Sequence, residues 1–275
     1  MDSIPFIINL FDQIDVMFLI MVRVVAFLMF VPVLSGMAIP MQFRLFLVVV
    51  VSAALFASGT VDQVTFVDSV SGLFLLILTE FMAGAVMGFI LFFVFSVFLF
   101  AGQFIDFSMG FAMVNVMDPI QQIQVPIIGN VTFMSMSALL VATGGIHHFM
   151  AMFFYSYRII PIGAAYILGN APLAWYIATS LVAFVILAVQ IALPIVGTMF
   201  VIDVCLGIMV KSVPQMNVFV VGMPLKVLVG LFLVFSVMVP NFGFIYENIF
   251  DRAFNSLLEV IERMAIDASN VYATE

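Results

Sequence analysis

Long stretches of this chain carry no formal charge, and no other feature limits its fold as strongly. Residues 127–157 contain no Asp, Glu, Lys or Arg, and neither do residues 173–202. Residues 16–34 are interrupted only by Arg23, residues 72–101 only by Glu80 and residues 218–244 only by Lys226, and a shorter run occupies 43–57. A helix crossing the hydrocarbon core of a bilayer needs about 20 mostly apolar residues, so these runs read as about six long apolar helices. In lipid the backbone must satisfy its own hydrogen bonds, which leaves helices or closed barrels. The runs are too long, and alternate too little, for barrel strands. The fold class is therefore an all-α membrane protein. The 127–157 run is expected to hold one helix, or a hairpin broken at Gly144-Gly145, and Pro194 is expected to kink the run around it.

Composition supports this and excludes other classes. Of 275 residues 66% are hydrophobic and 8% charged, against about 45–50% and 25% in a soluble domain. Seven Lys+Arg and fifteen Asp+Glu give a net charge of −8, the wrong sign for neutralising phosphates, so no nucleic-acid partner is expected. The lone Cys205 excludes an internal disulfide or a cysteine cluster and is expected to be a small buried residue. The N-terminal Met1-Asp-Ser-Ile-Pro stretch lacks a positive region, so the first apolar segment is expected to stay in the mature protein and direct insertion. Trp175 and Tyr176 suit a membrane interface. The stretches 58–69 and 102–126 carry acids and no base, so charge assigns no orientation.

The end of the chain differs. Ile249, Ala253, Leu257, Ile261 and Ala265 recur every four residues, with Glu247, Asp251, Arg252, Glu259, Glu262 and Arg263 on other faces. This predicts an amphipathic helix over 245–269. Its acidic balance disfavours anionic lipid, so it is expected to face a partner or an interface. The expected division is a helical membrane domain at 1–244 and an acidic amphipathic tail at 245–275.

A charge at the centre of a membrane helix costs about 2.5–3.5 kcal/mol on insertion scales. Arg23, Glu80, Asp203, Lys211 and Lys226 therefore admit two readings: pairing with another helix or reaching an interface, or lining a wet path for protons or ions. Glu80 is the only acid in its run, which argues against a relay. Lys226 is expected to pack or pair, with Asp203 as a candidate partner. His147 and His148 are adjacent and so face different ways on a helix, unlike the i,i+4 pair of a zinc helix. No Gly-rich phosphate loop, HExxH or GxSxG is present, and no catalytic, cofactor-binding or metal-ligating residue is expected. Gly84 and Gly88 form a small-xxx-small pattern that favours close helix approach.

Two segments stand out. The first runs from Gly102 to Pro119 and joins two apolar runs, yet is itself apolar while holding Gly, Asn, Asp and Pro. Backbone of this kind at membrane depth must be covered by protein or line a cavity. It reads either as a short interfacial loop that packs, or as a soft seal in which Met109, Met113 and Met117 with Phe107 and Phe111 deform and reclose. The second runs from Pro214 to Gly230. Pro214 and Pro224 restrict helix formation, Gly222 permits close approach, and Gln215 and Asn217 can satisfy backbone groups at a break. It is expected to be a hairpin turn or an interrupted helix.

These segments resemble the FliR family of flagellar biosynthesis proteins, part of the export gate of bacterial type III secretion. The stretch Pro214-Gln-Met-Asn-Val-Phe219, with Gly222-Met-Pro224-Leu-Lys226, is the most specific match. Gly102-Gln103, Asp106, Met109-Gly110 and Asp118-Pro119 form the second, and Arg23, Pro32, Pro40 and Arg44 the third, in consistent order over about residues 15–245. The resemblance implies packed helical hairpins that assemble with FliP-like and FliQ-like subunits into a closed channel. An FlhB-like subunit wraps its entrance, and unfolded export substrates pass through it. It implies residence in the bacterial inner membrane at the flagellar basal body, in contact with membrane lipid, and no cofactor. It also implies that the segment carrying Asp106, Phe107, Met109, Gly110, Phe111, Met113, Asn115, Met117, Asp118 and Pro119 plugs the closed pore. Pro214, Gln215, Asn217, Phe219, Gly222, Pro224 and Lys226 then belong to an assembly motif. An injectisome export-gate subunit, an ion-coupled secondary transporter and a passive scaffold are the alternatives. A transporter would show internal repeats, and the two halves of the chain show none.

Overall fold

The computed structural model describes residues 3–31, 39–59, 70–111, 126–165, 167, 170–213 and 218–271. The architecture is all-α, with no strand among the described residues. In chain order the helices are α1 (Ser3–Phe30), α2 (Met41–Ala57), α3 (Val70–Met109), α4 (Ile127–Ala142), α5 (Gly145–Ile159), α6 (Ala171–Ser212), α7 (Val218–Leu233) and α8 (Val239–Val271). A π-helical turn, Val234–Met238, joins α7 to α8. Among the described residues, three helical stretches are long and apolar enough to cross a membrane, Ser71–Met109, Ala171–Ser212 and Val220–Ala265; α4 and α5, which meet at a break, together form a fourth candidate.

The apolar runs appear as helices, but their ends differ from expectation in three places. The stretch from Gly102 reads as a loop, yet α3 continues through it to Met109. Ala101, Gly102, Ile105, Asp106 and Met109 are all buried, the spacing of one helix face. Pro224 lies inside α7, so the turn or break expected over Pro214–Gly230 is not at that proline, whereas Pro194 lies inside the single helix α6, as its run suggests. The last apolar run does not stop near 244 but continues into the amphipathic helix. The π-helical turn sits just before Pro240, whose ring removes an N–H from the ladder, and the wider turn absorbs that interruption. The break between α4 and α5 falls at Gly144, as the Gly144-Gly145 pair suggests.

The chain divides into two compact units. One spans Met1–Phe93, Gly144–Ser180 and Arg252–Glu275. Here α1 lies against the first half of α3, and Leu19, Ile20, Val24 and Phe27 of α1 are sealed from solvent, as are Ala83, Met87 and Ile90 of α3. Gly84 and Gly88 let the α3 backbone approach the carbonyls of Arg23 and Phe27; a Cβ on Gly88 would stand 2.6 Å from the Phe27 oxygen. Phe27 stacks on Phe153 of α5 with ring centroids 4.5 Å apart. Asn170 caps α6 by accepting the Leu173 N–H, while its amide donates to the Arg263 carbonyl of α8. The apolar face of α8 is covered within the chain: Ala253, Leu257, Val260, Ile261 and Met264 are essentially inaccessible. The chain's own helices therefore bury the apolar face of α8, which leaves its polar faces for the partner or interface expected of the tail.

The second unit spans Val94–Thr143 and Leu181–Asp251. It contains the end of α3, all of α4, the longer part of α6, and α7 with the start of α8. Phe98 packs on Phe242 at 5.6 Å, and Thr143 hydrogen-bonds Tyr246. Burial is uneven along the three membrane-length stretches: 61% of the apolar window of α3 is buried, against 28% in α6 and 17% in Val220–Ala265. Cys205, expected to be buried, is exposed on α6, because that part of the helix shows most of its circumference.

Candidate functional site

The stem of the 102–119 segment is built where α3 ends and α4 begins. Asp106 is nearly buried, and its carboxylate accepts the N–H groups of Ile128 at 3.1 Å and Gly129 at 3.3 Å. These lie in the first turn of α4, where backbone N–H groups have no partner within the helix. Pro126, which precedes that turn, offers no side-chain cap, so the cap comes from another helix. The negative charge also complements the positive end of the helix dipole. One turn back along α3, Gly102 meets Gly129 backbone to backbone, and a Cβ on Gly102 would overlap the Gly129 Cα. Thr132 adds a hydroxyl 3.1 Å from the Phe98 carbonyl oxygen. Small and polar residues thus hold the two helices together.

Met109 ends α3 and is fully buried. Gly110 follows with φ of 88°, a left-handed conformation that glycine adopts without strain, and its N–H returns to the Phe107 carbonyl at 3.2 Å. The Met109 side chain lies against Gly230 of α7. Phe107 is 61% exposed, whereas Phe111 is partly covered. Met113, Asn115, Met117, Asp118 and Pro119 lie outside the described residues.

Of the second motif, Pro214, Gln215 and Asn217 also lie outside the described residues, and Phe219 is in the first turn of α7. Gly222 is buried, Pro224 is exposed inside the helix, and Lys226 forms an ion pair with Asp203 of α6. Lys226 is 19% exposed and Asp203 47%, so the pair is anchored on one side and open on the other. Lys211 is exposed in the last turn of α6, where a cation suits the helix dipole.

Arg23 and Glu80 meet in the other unit. Arg23 donates through Nε to Glu80 Oε2 at 2.6 Å and through Nη2 to Oε1 at 2.8 Å, a two-pronged pair with both side chains inaccessible. A third donor, Nη1, reaches the Ile160 carbonyl at 3.2 Å, and the Gly163 N–H donates to Glu80 Oε1 at 2.8 Å. The guanidinium lies over the Tyr157 ring, 4.2 Å from its centre, and the Tyr157 hydroxyl donates to the Ile20 carbonyl at 3.4 Å. Every member has a partner, the condition under which buried charge is tolerated. The cluster ties α1 and α3 to the end of α5 and the turn after it. Tyr157, Ile160 and Gly163 are its participants that the sequence does not announce; a tyrosine amid an apolar run is the only signal any of them carries.

His147 and His148 are exposed on α5 with rings nearly perpendicular, 6.4 Å apart. Among the described residues no group of three His, Cys, Asp or Glu side chains comes together to hold a metal ion.

Comparison with known proteins gives a consistent picture. Residues 14–253 match the family model described as bacterial export proteins, family 1. The chain is 29% identical over 260 residues to the flagellar biosynthetic protein FliR of Bacillus subtilis (strain 168), covering 94% of this chain and 99% of that one. It is 26% identical over 246 residues to FliR of Escherichia coli (strain K12), covering 90% and 92%. It is also 25% identical over 215 residues to the surface presentation of antigens protein SpaR of Shigella flexneri, covering 78% and 81%.

Proposed function

The chain belongs to the bacterial export proteins, family 1, and on that premise we propose that it is a structural and gating subunit of a flagellar type III protein-export channel. In this reading it assembles with FliP-like and FliQ-like subunits, meets an FlhB-like subunit, and lets unfolded flagellar proteins cross the inner membrane. It is a multi-pass membrane protein at the flagellar basal body, with no catalytic role of its own.

The observation that carries the gating role is the stem at Asp106. A methionine- and phenylalanine-rich segment leaves a fixed pair of helices, with both ends tethered by a buried carboxylate and a glycine–glycine contact. Such a segment offers many passengers an adaptable apolar surface and no fixed hydrogen-bond pattern. Hydrophobic constrictions block ions by excluding water, so no chemical step is needed. The assembly role draws on the exposed apolar length of α6 and α7, where Phe200, Leu228 and Phe232 are each about two-thirds exposed.

A proton-relay reading of Glu80 finds less support, because both carboxylate oxygens are engaged by Arg23 and one also by Gly163. The flagellar reading is preferred to the injectisome one by the greater identity and coverage of the FliR relatives.

Deleting Phe111–Met117 in the assembled complex is the direct test. The expected outcome is increased passive ion leak with unchanged co-purification of the partner subunits. A complex that stays equally tight removes the gating role, and failure to co-purify with FliP-like and FliQ-like subunits removes the assembly role.

A further inference from the structure

We propose that the cavity between the end of α2 and one face of α5 is a binding site for an anionic phospholipid, with its phosphate on Arg158 and an acyl chain along Phe154, Ala151 and Met150. The proposal goes beyond the export role and takes from it only residence in a membrane.

The cavity has a volume of about 440 Å³ and is lined by Ser58, which follows α2, and by α5 from His147 to Arg158. Its size falls within the range of small-molecule sites, about 300–1,000 Å³. The α5 residues that line it recur at three- and four-residue spacing, so they share one side of the helix. At the helical rise, His147 and Arg158 stand about 16 Å apart along the axis. All of the lining residues belong to the first unit.

The cavity is charged at one end only. Arg158 lies in the last turn of α5 and is exposed. Among the described residues no carboxylate forms an ion pair with it, although the chain carries a net charge of −8. Tyr155, one turn earlier, is 44% exposed and presents a phenolic hydroxyl. A guanidinium offers a phosphate two parallel N–H donors, and the phenol adds an O–H. Ser58 adds no donor, because its hydroxyl donates to the Leu55 carbonyl at 2.7 Å. Away from Arg158 the wall is Phe154, Ala151 and Met150, apolar throughout and ending in an adaptable thioether. With α4, α5 forms a candidate membrane span, and Arg158 lies in its last turn. That is where a span meets the headgroups and where an arginine reaches them. A cation at the interface, with a hydrocarbon wall leading from it, matches a headgroup and its chain. Basic pockets beside membrane helices bind anionic headgroups in this way. An acidic side chain of a partner protein, or free phosphate, would use Arg158 and leave the apolar wall unfilled.

The test places the full chain in phosphatidylcholine vesicles that carry a photoactivatable phosphatidylglycerol, reactive on an acyl chain, and maps the labelled residues by mass spectrometry. Label is expected on α5 between His147 and Arg158, and to fall about fivefold in Arg158→Gln, the effect of one cation on an anionic headgroup. Ala151→Phe, which fills the groove at an exposed position and leaves Arg158 in place, is expected to lower the label as much. A photoactivatable phosphatidylcholine is expected to label this face about fivefold less than phosphatidylglycerol. Excess glycerol phosphate, which has no acyl chain, is expected to leave the label unchanged, and so is assembly with the partner subunits. The exposed lengths of α6 and α7 report membrane residence in the same experiment. If they and α5 all stay unlabelled, membrane residence fails and the site with it. If α6 and α7 are labelled and α5 is not, the site alone is overturned. It is also overturned if Arg158→Gln labels as the unaltered chain does, or if Lys211→Gln, at an exposed cation on α6, lowers the α5 label equally. Displacement by glycerol phosphate overturns it in favour of free phosphate, and loss of the label on assembly overturns it in favour of a partner protein.

Discussion

At the scale of single residues, the cost of charge governs what this chain can tolerate. Arg23 and Glu80 satisfy each other and borrow the Ile160 carbonyl and the Gly163 N–H to complete their bonding. Removing one partner leaves an uncompensated buried charge, a loss of roughly 3–5 kcal/mol. Arg23→Ala or Glu80→Ala is therefore expected to lower the thermal stability of the purified complex sharply. The apolar double replacement Arg23→Met/Glu80→Leu is expected to recover most of it, because well-packed apolar side chains replace such pairs at little cost. If the double variant is no more stable than the worse single, the pair does not act as a unit. The Lys226–Asp203 pair is half open to its surroundings, so a double-mutant cycle there should give only about 0.2–1 kcal/mol of coupling. The sequence singled out Arg23, Glu80, Asp203 and Lys226 because charges are rare in its apolar runs. It did not reveal how Arg23 and Glu80 are completed, since their backbone partners lie on a turn 83 residues or more farther on and backbone groups leave no mark in a residue string.

At the scale of helices, packing is decided by where side chains are missing. A Cβ at Gly88 would press on the Phe27 carbonyl and the Phe30 Cβ. Gly88→Ala is accordingly expected to destabilise the protein by about 1–3 kcal/mol, the cost of overpacking a closed contact. Gly197, on α6, has nothing within reach of an added Cβ. Gly197→Ala should be neutral or stabilising by about 0.5–1 kcal/mol, as for an open helix position. Equal effects from the two substitutions, read by thermal unfolding, would contradict this account of α1 against α3. Helix existence was legible in the charge-free runs, and so were the Gly84–Gly88 contact and the break at Gly144. The end of α3 was not. Gly102, Gln103 and Asp106 look like loop residues in isolation, and only the exposed N–H groups of α4 explain why an aspartate belongs inside a helix. The continuity of α7 into α8 was hidden for a related reason: the π-helical turn absorbs a proline that reads as a stop.

At the scale of the whole chain, the uneven burial of its long helices matters most. Helices of 40 and 42 residues, α3 and α6, extend about 60 Å along their axes, twice the roughly 30 Å hydrocarbon thickness of a bilayer. Parts of both must therefore be covered by something other than lipid tails, and α3 is covered by the chain itself while α6 largely is not. The exposed Cys205 on α6 is a built-in reporter. Its thiol is expected to react readily with a maleimide in the isolated chain and to be protected, by about tenfold in rate or more, in the assembled complex. Equal labelling in both states would leave α6 outside the assembly interface. The buried cluster around Arg23 carries a consequence for biosynthesis. Its members are 57 and 137 residues apart along the chain. At about 5–20 residues per second, Arg23 leaves the ribosome roughly 3–11 seconds before Glu80. During that interval, insertion of the first helix carries an unneutralised cation, at about 2.5–3.5 kcal/mol on insertion scales. Arrival of the third helix removes that cost, so the pair favours docking of the two helices over independent residence of the first.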